Sequence, residues 1–258
     1  MFKKRKKNCR TDSIQIQMEE SRIQQINKQI KRGRFPHHCF MHLSKTGGAG
    51  IKDFGWELVE KGYSFPVHFP HVWTLEAITT YFPDMSVCFI IRDPIERIIS
   101  GFYSRLRQGR PRKKNSIWSP GEATAFSFFN SPQQFLYALI SEDDHQKSAA
   151  LFAYKNITHL AYNYVHFFKD TNYIDKMKNR ISIVEQIKST DKFLLKLCLE
   201  FNIPNEEIDN VYKKIHVSPV SAKEVLSKFN KSEIEKLKFE LSPEYKIYNH
   251  LKGYITDF

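Results

Sequence analysis

The sequence has no apolar run that approaches the roughly 20 residues of a membrane-spanning helix, although 41% of its 258 residues are hydrophobic. Near its start it also has no apolar segment of the kind that secretory signals carry. Its four cysteines, at positions 9, 39, 88 and 198, are widely spaced, and no pair has the spacing of metal ligands. These absences predict a chain without a transmembrane segment, with buried free thiols, in a reducing, cytoplasmic compartment.

Positive charge is in clear excess. Lysine and arginine number 40 against 28 aspartates and glutamates, which gives a formal net charge of +12. This excess favours anionic partners, namely a phosphorylated cofactor, a polyanionic glycan, nucleic acid or an acidic membrane surface. Charge alone does not choose among them.

The pattern divides the chain into a basic, helical N-terminal extension over residues 1–34 and one domain over residues 35–258. The run from Lys3 to Lys7 is typical of a solvated tail, with peripheral contact to anionic lipid or nucleic acid as alternatives. From Ser13 to Lys31, loosely periodic isoleucines predict a helix that packs on the domain or pairs with another chain. The oligomeric state stays open.

A glycine-rich loop lies between a short apolar run and an amphipathic segment: His42-Leu43-Ser44-Lys45-Thr46-Gly47-Gly48-Ala49-Gly50. This order predicts strand, loop and helix. Glycines let backbone N–H groups approach a ligand, and the start of the helix adds unpaired N–H groups and a positive dipole end. The loop is therefore predicted to bind an anion, most often phosphate, beside the charge of Lys45. The triphosphate motif G-x-x-x-x-G-K-[ST] is absent, because lysine precedes the glycines.

A second predicted anion-binding segment follows a buried strand. Ser86 to Ile91 is a nearly continuous apolar run, typical of a central parallel strand covered on both faces. Arg92 comes directly after it, at the carboxyl end, where open α/β sheets bind ligands. Asp93 is predicted to cap the next helix, and Ser100 lies about two turns along that helix. We therefore predict an α/β fold whose central parallel sheet is flanked by helices.

These two segments resemble those of sulfotransferases that use 3′-phosphoadenosine 5′-phosphosulfate (PAPS). The order Lys-Thr-Gly-Gly resembles the family's 5′-phosphosulfate loop, and Arg-Asp-Pro-x-x-Arg-x-x-Ser resembles its 3′-phosphate segment. The motif style is nearest to the glycan-modifying branch, the heparan and dermatan sulfate 2-O-sulfotransferases. Ser44 replaces a proline of that pattern, and Ala49-Gly50 replaces Thr-Ser, so two hydroxyls that contact the cofactor are missing. The resemblance implies the sulfotransferase fold, with a P-loop-like parallel sheet.

The resemblance also implies a co-substrate and its ligands. The co-substrate is PAPS, and no metal is required. Lys45 is expected to stabilise the leaving phosphate, and Arg92 and Ser100 are expected to grip the 3′-phosphate. For Arg97 two roles are open, bracing of the segment by pairing with a carboxylate and contact with the co-substrate, and the first is preferred. The full set expected to bind the co-substrate is Lys45, Thr46, Gly47, Gly48, Ala49, Gly50, Arg92 and Ser100.

Two histidines between the segments are candidate general bases. The run His68-Phe69-Pro70-His71-Val72 occupies the place where 2-O-sulfotransferases carry His-Gly-His-Val, and the ordinary pKa of histidine suits proton transfer near neutral pH. His71, which precedes a valine, fits this pattern better than His68. Pro66 and Pro70 predict short strand pieces at most, in a loop that exposes both histidines.

The implied reaction moves a sulfuryl group to an acceptor hydroxyl, most readily on a carbohydrate. The basic stretch from Arg105 to Lys114 is either a solvated loop or a contact surface for an acidic acceptor such as a glycan. Nucleic acid is not an expected partner. Two alternatives remain: a P-loop-type nucleotide kinase or NTPase, which predicts G-K-[ST] and a strand-end aspartate for Mg²⁺, and a catalytically impaired module that binds polyanions.

The rest of the chain predicts further helices and one more strand. Composition stays loop-like up to about Phe129, and Ile157 to Phe168 reads as one helix with an aromatic stripe directed into the core. A short strand is predicted over Ile181 to Val184, followed by an amphipathic helix from Thr190 to Phe201.

Overall fold

The computed structural model describes residues 9–32, 34–110, 116–212 and 220–255. Four parallel strands form one sheet in the order β2-β1-β3-β4. The strands are β1 (Arg34–Met41), β2 (Phe65–Phe69), β3 (Ser86–Ile91) and β4 (Ile181–Gln186). The basic start, from Lys3 to Lys7, lies outside the described residues, and so does the end of the basic stretch, residues 111–114.

Helices flank this sheet, so the predicted α/β class is confirmed at the level of a mixed fold with a parallel sheet. In the described ranges they are α1 (Cys9–Lys31), α2 (Gly48–Glu60), α3 (Leu75–Tyr81), α4 (Pro94–Leu106), α5 (Pro120–Phe128), α6 (Pro132–Leu139), α7 (Asp144–Asn156), α8 (Thr158–Ala161), α9 (Tyr164–Phe168), α10 (Thr171–Lys176), α11 (Thr190–Glu200), α12 (Glu206–Val211), α13 (Ala222–Leu226), α14 (Lys231–Glu240) and α15 (Ser242–Lys252). None of them is both long and apolar enough to cross a bilayer.

The central strand β3 is buried on both faces, as its apolar run predicts. Val87, Phe89 and Ile91 contribute to one apolar cluster, and Cys88 and Ile90 contribute to a second cluster on the opposite face. Successive side chains of a strand point to opposite faces, so a strand enclosed between two helical layers needs apolar residues at every position.

The strand order creates a switch point between β1 and β3. The chain leaves β1 to form β2 on one side, and then returns to form β3 on the other side of β1. In open parallel sheets, ligands bind outside the carboxyl ends of the strands at such a reversal. The loop after β1 and Arg92 after β3 therefore flank the crevice where this fold most readily holds a ligand.

The predicted loop that exposes His68 and His71 is wrong, because residues Phe65–Phe69 form the edge strand β2. His68 lies within β2, where its N–H donates to the Gln29 side-chain oxygen at 3.0 Å and its carbonyl accepts from the Gln29 amide at 2.9 Å. Helix α1 covers this edge, with Ile26 fully buried in the core. Pro66 is tolerated because an edge strand needs fewer ladder hydrogen bonds. Both histidines are only partly exposed: His68 contacts Gln29 of α1, and His71 packs against His42 and His159.

Candidate functional site

The glycine-rich loop turns sharply into α2. Lys45 and Gly47 have positive φ values of 65° and 84°, and α2 begins at Gly48. The N-cap residue, Gly47, has no side chain with which to cap this helix end, and the first turn of α2 holds no acidic residue. The N–H groups at the start of a helix lack intrahelical partners and carry a partial positive charge, so this end favours an anion.

Thr46 and Gly48 maintain the shape of the loop. The Thr46 hydroxyl is buried and donates to the Leu43 carbonyl at 3.1 Å, so it holds the turn together. A Cβ atom at Gly48 would lie 2.1 Å from the ring of His42. Glycine is therefore required at this position as long as His42 lies directly beneath the loop.

The structure brings Arg92 to the loop of Lys45. The Arg92 guanidinium Nη1 lies 3.4 Å from the Lys45 carbonyl oxygen, and its Nε donates to Glu96 at 3.3 Å. The backbone of Arg92 is held by Tyr164, whose phenolic oxygen hydrogen-bonds both its N–H and its carbonyl. The two predicted anion-binding segments thus meet at one edge of the sheet.

A third cation, Arg107, lies close enough to Lys45 to affect its pKa. Burial, followed by the charges of Arg107 and Arg92, lowers the pKa of Lys45 to about 8. The Arg107 Nε is enclosed without a hydrogen-bond partner in the part of the chain described. Three positive groups this close together repel one another, so the site favours a bound anion that neutralises them.

Arg107 directly follows the last residue of α4, and Arg92 comes just before the cap of the same helix, which carries Glu96 and Ser100. These positions are spaced four and seven residues apart, and all four side chains are half-buried. From the sequence, Arg107 belongs to a basic stretch interpreted as a solvated loop or an acceptor surface, and its place beside Lys45 is not predicted.

Arg105 is not part of an exposed contact surface. Its Nε and Nη2 donate to the buried carboxylate of Glu122 at 2.6 and 2.7 Å, and its Nη1 donates to Ser116. A guanidinium with these partners is structural, because it neutralises a carboxylate that is only 1% exposed. The solvated-loop and contact-surface readings therefore do not apply to Arg105.

The histidines near the loop form one cluster. His71 Nδ1 lies 2.7 Å from the His42 carbonyl, and because a carbonyl only accepts, Nδ1 carries the proton. This tautomer leaves the lone pair of His71 on Nε2, the form that a general base needs.

His68 is less suited to act as the base. Its Nε2 lies 3.1 Å from His42 Nδ1, and burial, followed by the charges of Lys52 and Arg34, lowers its pKa to about 3. Burial also lowers the pKa of His42 well below its usual range. An imidazole that holds a proton so weakly and contacts another imidazole is a poor acceptor for a substrate proton, so the geometry favours His71 over His68.

Arg97 is buried and pairs with a carboxylate, which agrees with the bracing role expected for it. Its Nη2 donates to both oxygens of Glu244, at 2.9 and 3.1 Å, and Tyr154 also donates to Glu244. Its Nη1 donates to the backbone carbonyls of His159 and Tyr162. Arg97 thus ties α4 to α15 and to the segment between α8 and α9.

His159 is a site residue that sequence reasoning missed. Its ring lies 5.8 Å from the His71 ring, centre to centre, and its carbonyl accepts from the Ser44 hydroxyl at 3.2 Å. His159 is 88 residues from His71 in sequence, and the aromatic stripe around it reads as core. No local signal connects it to the loop.

No group of three or more histidine, cysteine, aspartate or glutamate side chains in the described ranges could hold a metal ion. In comparisons with known proteins, no family model matches this chain and no curated protein sequence matches it. Function is therefore argued from the arrangement of the site's own residues.

Proposed function

We propose that the protein is a sulfotransferase that moves a sulfuryl group from PAPS to an acceptor hydroxyl, most readily on a carbohydrate. The observation that carries the proposal is the meeting of two anion-binding segments at the β1–β3 switch point, where Arg92 approaches Lys45. PAPS has phosphate groups at two separated positions of one nucleoside, and two adjacent cationic grips suit such a ligand.

Each segment supplies a different part of the binding site. The loop and the first turn of α2, from Thr46 to Ala49, offer backbone N–H groups to the 5′-phosphosulfate, beside Lys45. The N–H of Gly50 instead donates to the Gly47 carbonyl at 3.1 Å, so Gly50 contributes by letting the chain turn closely rather than by binding directly. Arg92 and Ser100 hold the 3′-phosphate from the start of α4, with Arg92 supplying the planar fork that matches phosphate oxygens. Arg107 adds charge near Lys45, which offsets part of what the missing Thr-Ser hydroxyls would contribute.

The transfer needs a base, a stabilised leaving group and an in-line arrangement. The acceptor oxygen attacks sulfur and forms the new S–O bond, while the bond from sulfur to the 5′-phosphate oxygen breaks and its electron pair stays on the phosphate. Lys45 stabilises that developing charge. The acceptor proton passes to Nε2 of His71, whose Nδ1 remains bonded to the His42 carbonyl.

A nucleotide kinase or NTPase is less well supported. It needs a strand-end carboxylate that is available for Mg²⁺. Asp93 follows β3, but its carboxylate caps α4 by accepting from the N–H groups of Ile95 and Glu96, and it also accepts from the Tyr245 hydroxyl. A carboxylate that already accepts three hydrogen bonds is a poor first ligand for a metal-bound triphosphate.

Thermal unfolding with two ligands separates the proposal from its alternatives. We expect 3′-phosphoadenosine 5′-phosphate (PAP) to raise the melting temperature, ATP with Mg²⁺ to raise it less, and Lys45→Ala to abolish the PAP effect. The exposed Lys155→Ala, on α7, is the matched control and should behave as wild type.

Labelled-sulfate transfer from PAPS to a panel of acidic glycans, neutral glycans, small alcohols and tyrosine peptides then tests catalysis. Stabilisation by PAP without transfer to any acceptor would favour the catalytically impaired module. A larger stabilisation by ATP with Mg²⁺ would contradict the proposal.

A further inference from the structure

The backbone of His159 is anchored from several directions. In the short helix α8, the N–H and hydroxyl of Thr158 both donate to Glu122 Oε1, at 3.0 and 2.8 Å. The His159 carbonyl accepts from Ser44 of the loop and from Arg97 of α4. Three separate elements therefore fix the position of one histidine. A backbone fixed in this way limits where the His159 ring can lie, which is part of the preorganisation that reacting groups need.

Helix α8 also lies close against α4. A Cβ atom at Gly101 would lie 3.2 Å from the Cβ of His159 and 3.0 Å from Leu160 Cδ1. A side chain at position 101 would push α8 outward, and with it the ring of His159. The glycine thus lets α8 approach the face of the site that carries Lys45.

The ring nitrogens of His159 are not used by the fold. Nδ1 is enclosed and has no hydrogen-bond partner within the described part of the chain, while the residue as a whole is partly exposed. Burial, followed by the charges of Lys45 and His71, lowers the pKa of His159 well below its usual range, so the ring is neutral. A proton on enclosed Nδ1 would have no acceptor within the described part of the chain, so the tautomer with the proton on Nε2 is favoured.

We propose that His159 is a second catalytic histidine, whose Nε2–H donates a hydrogen bond to an oxygen of the sulfuryl group while His71 accepts the acceptor's proton. The inference rests on the proposed function. The leaving oxygen lies at Lys45 and the attacking oxygen at His71, so the sulfuryl group lies between them. His159 neighbours both residues. It only donates a hydrogen bond, so no proton is gained or lost at its ring.

Two substitutions at one position test the donor role. His159→Leu removes the donor, whereas His159→Gln keeps an amide N–H near the place of Nε2. We expect kcat for transfer from PAPS to fall by about 10²- to 10³-fold in His159→Leu, as when one oxyanion donor is removed. His159→Gln should recover most of the rate. The exposed His145→Leu, on α7, is the control and should keep the wild-type kcat.

Two further readouts separate this role from a structural one. PAP lacks the sulfuryl group, so its stabilisation of His159→Leu should equal that of wild type, while the extra stabilisation by PAPS over PAP should disappear. In the pH profile of kcat, His71→Ala should remove the acidic limb, whereas His159→Leu should keep that limb at a lower plateau.

The results that would contradict the donor role of His159 differ from those that would contradict the proposed function. Wild-type kcat in His159→Leu, or loss of the acidic limb in that variant, overturns the donor role and leaves the proposed function standing. Loss of PAP stabilisation in both His159 variants makes the residue structural and also overturns it. A wild-type chain that binds PAPS but transfers no sulfuryl overturns the proposed function and the role of His159 together.

Discussion

The phenolic oxygen of Tyr164 hydrogen-bonds both main-chain groups of Arg92: it accepts from the N–H at 2.8 Å and donates to the carbonyl at 2.6 Å. Arg92 is the first residue after β3, where the sheet no longer pairs its backbone. Tyr164 is 1% exposed, so these bonds lie away from water. The orientation of the Arg92 guanidinium toward the loop of Lys45 therefore depends on a tyrosine of α9.

Replacing Tyr164 by phenylalanine should leave the Arg92 N–H and carbonyl without partners. Buried main-chain groups without partners cost about 1–3 kcal/mol. We expect urea unfolding of Tyr164→Phe to show a loss of that size, together with weaker stabilisation by PAP because Arg92 is less well oriented. The matched control is Tyr248→Phe, since Tyr248 packs on the same ring at 6.1 Å. Equal losses in both variants would mean that the two hydrogen bonds contribute nothing specific.

The affinity for PAP should depend on pH through Lys45. Burial and two neighbouring arginines lower its pKa to about 8, so the free site loses this positive charge as pH rises through 8. A bound phosphate stabilises the protonated form, so we expect Kd to be flat between pH 6.5 and 7.5 and then to rise by up to about tenfold per pH unit. Lys45→Arg keeps its charge and should bind with no such rise. A flat profile for both proteins would show that Lys45 does not contact the ligand.

Removing Arg107 should have two opposite effects. Arg107→Gln takes away a positive charge from the ligand, so PAP should bind more weakly at pH 7, by about five- to tenfold. It also removes a repulsion from Lys45, so the pH at which affinity begins to fall should move above 8. Titration calorimetry between pH 7 and 9.5 measures both effects. Arg110→Gln, an exposed arginine of the same turn, is the control, and a matching change there would indicate general surface charge instead.

Removing either partner of the Arg97–Glu244 ion pair should lower the stability of the fold. Both residues are nearly fully buried, at 1% and 2% exposure. Arg97→Met and Glu244→Gln should each lower the free energy of unfolding by about 3–5 kcal/mol, because each leaves a buried group without its partner. The double variant Arg97→Met/Glu244→Met should recover part of this loss. Single losses that simply add in the double variant would show that the two residues do not act as a pair.

The parts of the fold that local sequence determines were predictable. The apolar run of β3 and the Asp93-Pro94 start of α4 both have the predicted places, because burial pattern and helix capping are local properties. The loop predicted up to about Phe129 is wrong, because helix α5 forms there. Ser119 and Glu122 form a capping box there, a local signature of a helix start that the loop-like composition obscured.

The parts that long-range contacts determine could not be read from the sequence. The burial of His68 depends on Gln29, 39 residues earlier, and the role of Arg107 depends on where the loop of Lys45 lies. The segment from Ile157 to Phe168 is not one helix but α8 and α9, separated by Tyr162 and Asn163. That break is what allows His159 to approach the loop while Tyr164 reaches Arg92.

The strand order brings Lys45 and Arg92 together, so one bound molecule could constrain the whole segment between them. Lys45 and Arg92 are 47 residues apart along the chain, and the segment between them contains α2, β2 and α3. A molecule held by both residues would act as a reversible crosslink that closes this segment into a ring. Closing the ring lowers the conformational entropy of the opened segment, so opening of β2 and α3 should cost more free energy while the molecule is bound. Amide hydrogens of these elements, although far from the molecule, should then exchange more slowly.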